Sequence, residues 1–219
     1  MKKFILLLFV TTQAFARVVA IEPTYTNSIV KIKADRYVCT GVIIAPNLVL
    51  TANHCTLKQE PKDDLLSPEN LLEQVQVSFN NGTSNSGTII RRGKDVGYND
   101  LALILVSTPT PTPTITLSYL APSEWAANLA WNFRLFHNII ELRTGSYVEK
   151  DWLYGRETEN YLMKLSFEAI PGKSGSPVFD NHGNLVGIVV RMLTSRSLNE
   201  NEGFALAVPT PILIRFLNN

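Results

Sequence analysis

The sequence contains little cysteine and little net charge, and beyond its first residues it has no long apolar run. Only two of its 219 residues are cysteine, and two thiolates cannot complete a structural zinc site by themselves. No His and Cys residues stand at metal-ligand spacing, so we expect no metal and no cofactor. A formal net charge of +1 gives no strong field that would select nucleic acid or an acidic membrane. With 45% hydrophobic and 18% charged residues, the composition is that of an ordinary globular protein.

Residues 1–16 have the layout of a secretory signal peptide. Lys2 and Lys3 precede an apolar run at residues 4–10, which is too short to span a bilayer. A small-x-small cleavage site, Ala-Phe-Ala, follows at residues 14–16. We therefore expect an exported protein, secreted or periplasmic, with no membrane association after cleavage. Export makes an oxidised pair of the two cysteines, Cys39 and Cys55, plausible.

The rest of the chain reads mainly as short strands separated by turn signals. Alternating or β-branched apolar residues between Gly, Pro and Asn clusters are typical of such strands. The predicted strands are residues 28–33, 42–50 (interrupted by a turn at Pro46 and Asn47), 74–79, 101–106, 131–136, 145–149, 161–166, 177–180, 184–190 and 204–208. Helices are predicted at residues 209–217 and, shorter, near residues 123–129.

Alternating Thr and Pro residues near the middle of the chain predict an extended linker at residues 109–114. This linker divides the mature chain into an N-terminal half, residues 17–108, and a C-terminal half, residues 115–219. Two strand-rich halves suggest two small antiparallel barrels, although periodicity alone does not separate barrels from a sandwich.

His54 and Asp100 stand where acid–base chemistry can be organised. His54 follows an apolar strand in the sequence Thr-Ala-Asn-His-Cys, and imidazole is the side chain best suited to proton transfer near neutral pH. Asp100 enters a continuous apolar run, and a buried carboxylate needs hydrogen-bond donors. His54 is its natural partner. A bridge between Cys39 and Cys55 would pin the loop of the histidine, with a stabilisation of about 3 kcal/mol.

Ser174 lies in the sequence Gly-Lys-Ser-Gly-Ser-Pro at residues 172–177. Glycines on both sides let the backbone turn tightly and approach a substrate. The N–H groups of Gly172 and Ser174 can point at one developing oxyanion, a step at which preorganised dipoles help most. The segment therefore predicts a nucleophile beside its oxyanion hole.

In these segments the chain resembles the trypsin-like, or chymotrypsin-fold, serine peptidases. The resemblance is closest to the bacterial branch that contains the glutamyl endopeptidases and the HtrA-type proteases, and it extends over residues 25–217. It rests on the order His, Asp, Ser, on the gap of 46 residues between the first two, and on residues 184–189 and 203–209. It implies an all-β fold of two antiparallel six-stranded barrels with a short C-terminal helix, the first barrel carrying His and Asp and the second carrying Ser.

The resemblance implies a secreted serine endopeptidase that works through a Ser174, His54, Asp100 triad and an acyl-enzyme. We expect a monomer acting on a protein or peptide substrate. Two alternatives stay open: a non-catalytic secreted binding protein of the same fold, and a periplasmic quality-control protease. HtrA-type proteins carry a PDZ domain after the protease. We expect none here, because the sequence ends just past the final predicted helix.

Departures from the family pattern concern activation and specificity. Lys173 stands where the family often has Asp or Asn, so we do not expect activation by a freshly cut amino terminus. The substrate-binding candidates are Glu168, Val190, Arg191, Met192 and Gly203. Met192 predicts a narrowed apolar pocket, and Glu168 would instead favour Lys or Arg at the cut site if it lies at the pocket base. The histidine that recognises acidic substrates in glutamyl endopeptidases has no counterpart here.

Overall fold

The structure is a computed structural model that describes residues 23–35, 37–58, 67–94, 97–107, 115–118, 125–132, 139–151, 161–167, 171–194 and 203–219. The signal peptide predicted at residues 1–16, the linker predicted at residues 109–114, and Glu168 lie outside the described residues.

The first half of the chain forms a closed antiparallel barrel after a short helix, α1 (Pro23–Thr26). Its strands are β1 (Ile29–Ala34), β2 (Tyr37–Ala45), β3 (Leu48–Thr51), β4 (Gln74–Ser78), β5 (Ser84–Arg92) and β6 (Ala102–Val106), and they pair in the order β1-β2-β3-β6-β5-β4. The predicted turn at Pro46 and Asn47 separates β2 from β3, and Asn47 adopts a φ of 72° that asparagine tolerates.

Burial alternates along β1 and β4, as one-sided packing of a barrel strand requires. The inward side chains include Ile32, Val77 and Ile104, each with no solvent exposure. In β6 all positions except Leu105 are buried, which agrees with the continuous apolar run predicted for a buried strand. This packing fixes the end of β3 and the start of β6, the two places from which the candidate site is built.

The second half contains six strands in the order β10-β11-β12-β9-β8-β7, followed by helix α2 (Thr210–Asn218). The strands are β7 (Trp125–Asn132), β8 (Ile139–Asp151), β9 (Leu162–Leu165), β10 (Pro177–Phe179), β11 (Leu185–Thr194) and β12 (Gly203–Pro209). The seam between β10 and β7 consists of two residue pairs, Val178 with Asn128 and Phe179 with Ala127.

The short helix predicted near residues 123–129 is wrong for residues 125–129, which belong to β7, and residues 123 and 124 lie outside the described residues. Pairing with β8 along the whole of β7, from Trp125 to Asn132, overrides the weak local preference for a helix. The predicted fold class, an all-β chymotrypsin-like protein with a short C-terminal helix, is confirmed.

One apolar cluster joins the two halves. It contains core residues of the first barrel together with Phe179, Leu185 and Ile212 of the second half and the final helix. A smaller cluster, which includes Met163 and Val189, lies within the second sheet. Among the described residues, no helix reaches the length and apolar character that a membrane crossing requires.

Candidate active site

His54 lies on a short 3-10 helix (Asn53–Thr56) directly after β3. A disulfide between Cys39 and Cys55 ties this helix to β2, so the predicted bridge is present in the structure. The neighbours Asn53, Cys55 and Thr56 are buried, whereas 33% of the His54 side chain is exposed. The backbone around His54 is therefore fixed by buried neighbours, while one side of the imidazole is open to solvent.

Asp100 makes two hydrogen bonds with His54. The backbone N–H of His54 donates to Asp100 Oδ1 at 2.8 Å, and His54 Nδ1 lies 2.6 Å from Asp100 Oδ2. The Asp100 side chain is only 3% exposed, so these donors satisfy a carboxylate that water barely reaches. Because an ionised carboxylate only accepts hydrogen bonds, Nδ1 carries the proton and Nε2 is left able to accept one.

The backbone at Gly93 lies very close to the backbone on either side of Asp100, and this approach requires a glycine at position 93. Its N–H donates to Leu101 O at 2.7 Å, and a Cβ added to Gly93 would lie 1.7 Å from Asn99 O. Any larger residue would push the two segments apart and displace Asp100 from His54. This glycine is a requirement that the sequence pattern did not reveal.

The Ser174 loop, residues 171–176, is bound to the first barrel through Thr40. The N–H of Thr40 donates to Ser174 O at 2.9 Å, and its hydroxyl donates to Gly172 O at 2.8 Å. On the other side, the N–H of Gly175 donates to Val189 O at 2.7 Å. Hydrogen bonds to both halves of the molecule therefore hold the loop at their boundary.

Gly175 makes the closest approach between the loop and the first barrel. With φ at +81°, a Cβ there would lie 2.1 Å from Thr40 O, 2.1 Å from Thr51 Oγ1 and 3.0 Å from Ala52 N. Thr51 and Ala52 are the residues that lead directly to the helix of His54. The fit at Gly175 thus brings the Ser174 loop against the segment that carries His54.

Lys173 is fully buried, with no solvent exposure, although it lies beside the partly exposed Ser174. A lysine at such a depth is rare, because an ammonium group is costly to remove from water. Lys173 is recognisable in the sequence as a departure from the family pattern, but no local pattern predicts its burial.

The substrate-binding candidates on β11 and β12 differ in exposure. Val190 is 4% exposed and packs in the core cluster, whereas Met192 is 40% exposed. Arg191 is half-buried and pairs with Leu206, and Gly203 pairs with Thr194 at the far end of the two strands. A bulge interrupts the pairing of β11 with β12 between Val189 and Arg191. The two consecutive valines are both buried but pack in different clusters, Val189 in the smaller one and Val190 in the larger one.

Arg92, at the end of β5, is a residue of the site that sequence reasoning missed. Its Nη1 donates to Asn53 Oδ1 at 3.1 Å and to Thr56 Oγ1, and its Nη2 donates to Leu72 O. Burial lowers the pKa of Arg92 from its ordinary value. Arg92 therefore fastens both ends of the His54 helix, and nothing in the sequence distinguishes it from the neighbouring Arg91.

Cys39, His54 and Cys55 form the one set of potential metal ligands that the described part of the chain brings within 4.8 Å of one another. Both sulfur atoms belong to the disulfide, so the set offers no thiolate. The arrangement is suited to proton transfer at His54 rather than to ligation.

Solved structures with the same fold include two inactive forms of the Rv3671c protease. One, from M. tuberculosis H37Rv and carrying a serine-to-alanine mutation, has 15% identity and a TM-score of 0.66 over 92% of this chain and 90% of that chain. The other has 17% identity and a TM-score of 0.65 over 91% of each chain. The HtrA-type protease AlgW, a serine-to-alanine variant with a tripeptide, has 18% identity and a TM-score of 0.66 over 89% of this chain and 60% of AlgW.

At these identities the structural likeness establishes the fold. No curated protein matches the chain significantly. The family profile described as "Trypsin-like peptidase domain" matches residues 39–188, which is more than half of the sequence and includes the segments of His54, Asp100 and Ser174. The protein therefore belongs to the trypsin-like peptidase domain family.

Proposed function

We propose that this protein is a secreted serine endopeptidase whose triad is Ser174, His54 and Asp100. The observation that carries the proposal is the buried Asp100 carboxylate, which accepts hydrogen bonds from both the backbone and the ring of His54. The Ser174 loop lies against the strand ends that lead to this histidine. Membership of a peptidase family supports the same chemistry.

The mechanism is acyl transfer in two halves. Ser174 Oγ attacks the peptide carbonyl while His54 Nε2 accepts the serine proton and then gives it to the leaving amine. Water attacks the resulting acyl-enzyme, again with His54 as the base. Asp100 holds the required tautomer and stabilises the imidazolium that forms in each half.

The N–H groups of Gly172 and Ser174 are the proposed oxyanion hole. The carbonyl groups of the same two residues are both bound by Thr40, which fixes the loop in one conformation. Fixed N–H dipoles are the form of stabilisation that costs no reorganisation as charge develops on the substrate. Thr40 is thus proposed to position the hole without contacting the substrate.

An extended substrate is proposed to add as a strand beside β11. The pairing of β11 with β10 ends at Ile188, whereas β11 continues to Thr194. Strand addition at Val190 to Met192 would use backbone hydrogen bonds for affinity and the neighbouring side chains for selectivity. The exposed Met192 favours small or medium apolar residues at the cut site, and Glu168 remains the alternative determinant, for Lys or Arg.

Labelling with a phosphonylating serine reagent tests the triad. Ser174 should be modified stoichiometrically, and His54→Ala should abolish the labelling because the serine then lacks its base. Ser176, two residues away and fully buried, provides a matched control, since Ser176→Ala should leave the labelling in place. Unchanged labelling of His54→Ala would remove His54 from the mechanism.

Specificity is tested by kcat/KM on matched substrates with Arg, Leu or Ala before the cut. Glu168→Gln should lower cleavage after Arg by about 10- to 100-fold if the carboxylate forms the pocket base. A dominant preference for Glu would contradict both the apolar and the basic version of the pocket.

Export is proposed from the signal-peptide layout, and the disulfide supports an oxidising compartment. Amino-terminal sequencing of the exported protein should begin at Arg17. Mass spectrometry of unreduced digests should find Cys39 and Cys55 in one linked peptide pair, and two free thiols in freshly exported protein would contradict the assignment.

A further inference from the structure

A cleft of about 400 Å³ lies between the end of β5, the segment that leads to Asp100, and helix α2. Four of its lining side chains are cationic, namely Arg91, Arg92, Lys94 and Arg215, and none of the described residues that line it has an acidic side chain. The half-buried Tyr98 gives the cleft apolar surface, to which Ile212 and Phe216 of α2 add little because they are 3% and 6% exposed. The cleft does not include His54, Asp100 or Ser174, and the one described residue that it shares with the support of the candidate active site is Arg92.

The positive charge of the two arginines from β5 is not cancelled by the contacts that hold them. Arg91 Nη1 donates to Phe216 O at 2.8 Å and to Leu217 O at 2.9 Å, and its guanidinium lies 5.9 Å from the Phe216 ring centre. Arg92 donates to amide, hydroxyl and carbonyl oxygens. All of these acceptors are uncharged. The contacts therefore fix the orientation of both guanidinium groups without neutralising their positive charge.

Lys94 and Arg215 are exposed side chains at the edge of the same cleft. Asp95, the one acid in the sequence between Arg91 and Asn99, lies outside the described residues. Counting it would still leave an excess of cations. A protein with a formal net charge of only +1 thus concentrates several positive charges on one concave surface.

We propose that this cleft binds an acidic peptide segment of a partner protein. Guanidinium groups fixed in orientation match the two oxygens of a carboxylate, which makes arginine the preferred residue for such recognition. The ring of the half-buried Tyr98 favours a peptide with apolar side chains beside its acids over a purely polar anion. The cleft volume is within the range of pockets that enclose a small ligand or a few side chains.

Fluorescence anisotropy tests the proposal on the Ser174→Ala protein, which leaves the probe uncut. The probe is a fluorescein-labelled peptide of Glu and Leu residues, compared with the same peptide carrying Gln in place of every Glu. The Glu peptide should bind, more weakly as salt is raised, and the Gln peptide should not. Because the measurement needs no catalysis, its failure is distinguishable from failure of the proposed peptidase activity.

Charge reversals localise the binding. Lys94→Glu and Arg215→Glu, both at exposed positions, should each lower the affinity for the Glu peptide by about tenfold or more. Lys33→Glu makes the same charge change at an exposed position of β1 outside the cleft and should leave the affinity unchanged. Equal binding of the Gln peptide, or equal loss in Lys33→Glu, would overturn the proposal. So would tight binding of a sulfated polysaccharide without binding of the Glu peptide.

Discussion

His54 and Asp100 are held by contacts within one half of the molecule, whereas Ser174 is held near them by contacts between the two halves. The first two belong to one closed barrel, in which two direct hydrogen bonds, a disulfide and Arg92 fix the histidine. Ser174 comes from the other half of the chain, and its loop reaches the first barrel through Thr40 and the close fit of Gly175. The proposed acid–base pair is thus assembled within one unit, whereas the placement of the proposed nucleophile depends on how two units dock.

Two buried aspartates, one in each half, give the sharpest test of this difference. Asp100→Asn should lower kcat by about 10⁴-fold with the fold intact, because an amide no longer enforces the tautomer that His54 needs. Asp180 instead binds the turn between β10 and β11, accepting from the N–H groups of His182 and Asn184 at 2.8 and 2.9 Å.

Asp180→Asn should lower the free energy of unfolding by about 1–3 kcal/mol and leave kcat unchanged, because the turn loses its charged acceptor and an amide NH₂ cannot accept the hydrogen bond that Asn184 Nδ2 donates at 3.0 Å. Denaturant unfolding and steady-state kinetics on both variants check this contrast. A large loss of kcat in Asp180→Asn would mean that the second half contributes more to the chemistry than its loop.

Gly175→Ala should break the docking of the serine loop without touching the His54–Asp100 pair. The added methyl group collides with Thr40 and Thr51, so we expect kcat/KM to fall by about a hundredfold or more. Gly82 is the matched control: its φ of +85° is similar, but a Cβ there meets nothing within 4 Å. Gly82→Ala should thus show only the conformational cost, roughly 1 kcal/mol of stability. Equal losses of activity in the two variants would contradict the role of the close fit.

Arg92→Met should loosen the His54 helix while the rest of the first barrel stays folded. We expect kcat to fall by about tenfold with little change in KM. The reason is that this helix carries the proposed catalytic imidazole of His54 and is not part of the proposed substrate-binding strand. Arg92→Lys should recover only part of the loss, because one ammonium cannot reach all of the oxygens that the guanidinium fork binds. A change confined to thermal stability would assign Arg92 a structural role alone.

Removal of the disulfide should have the smallest effect on turnover. The double variant Cys39→Ala and Cys55→Ala should lose about 3 kcal/mol of stability, chiefly by freeing the unfolded chain. Where the variant remains folded, kcat should change little, because Asp100 and Arg92 still orient the His54 helix. Thermal unfolding and low-temperature kinetics on the same sample separate the two effects, and a large loss of kcat in folded protein would show that the bridge itself positions His54.

Local patterns were enough to predict most of the strands and the final helix. Alternation and apolar runs predicted β1, β4 and β6, and the Pro-Asn turn separated β2 from β3 as expected. The terminal helix predicted at residues 209–217 forms at Thr210–Asn218. These elements can be predicted because the side-chain period and the turn residues depend only on residues that are close together in the sequence.

Strands whose conformation depends on pairing with another strand were harder to predict. β5 was not predicted, because its residue types do not alternate between apolar and polar, although its burial alternates in the folded barrel. β7 was mistaken in part for a helix, since only its pairing with β8 decides its conformation. Cross-strand partners supply the stabilisation in such segments, and local sequence does not contain them.

The sequence by itself was enough to propose which residues carry the chemistry, because His54, Asp100 and Ser174 each stand in a recognisable local motif. Only the tertiary structure decided what supports them: Thr40 is bonded to Gly172 across 132 residues, Arg92 is bonded to Asn53 across 39, and Gly175 packs against Thr51. These contacts join segments far apart in the chain. Packing selects them through shape and hydrogen-bond satisfaction, which no local pattern of residues specifies.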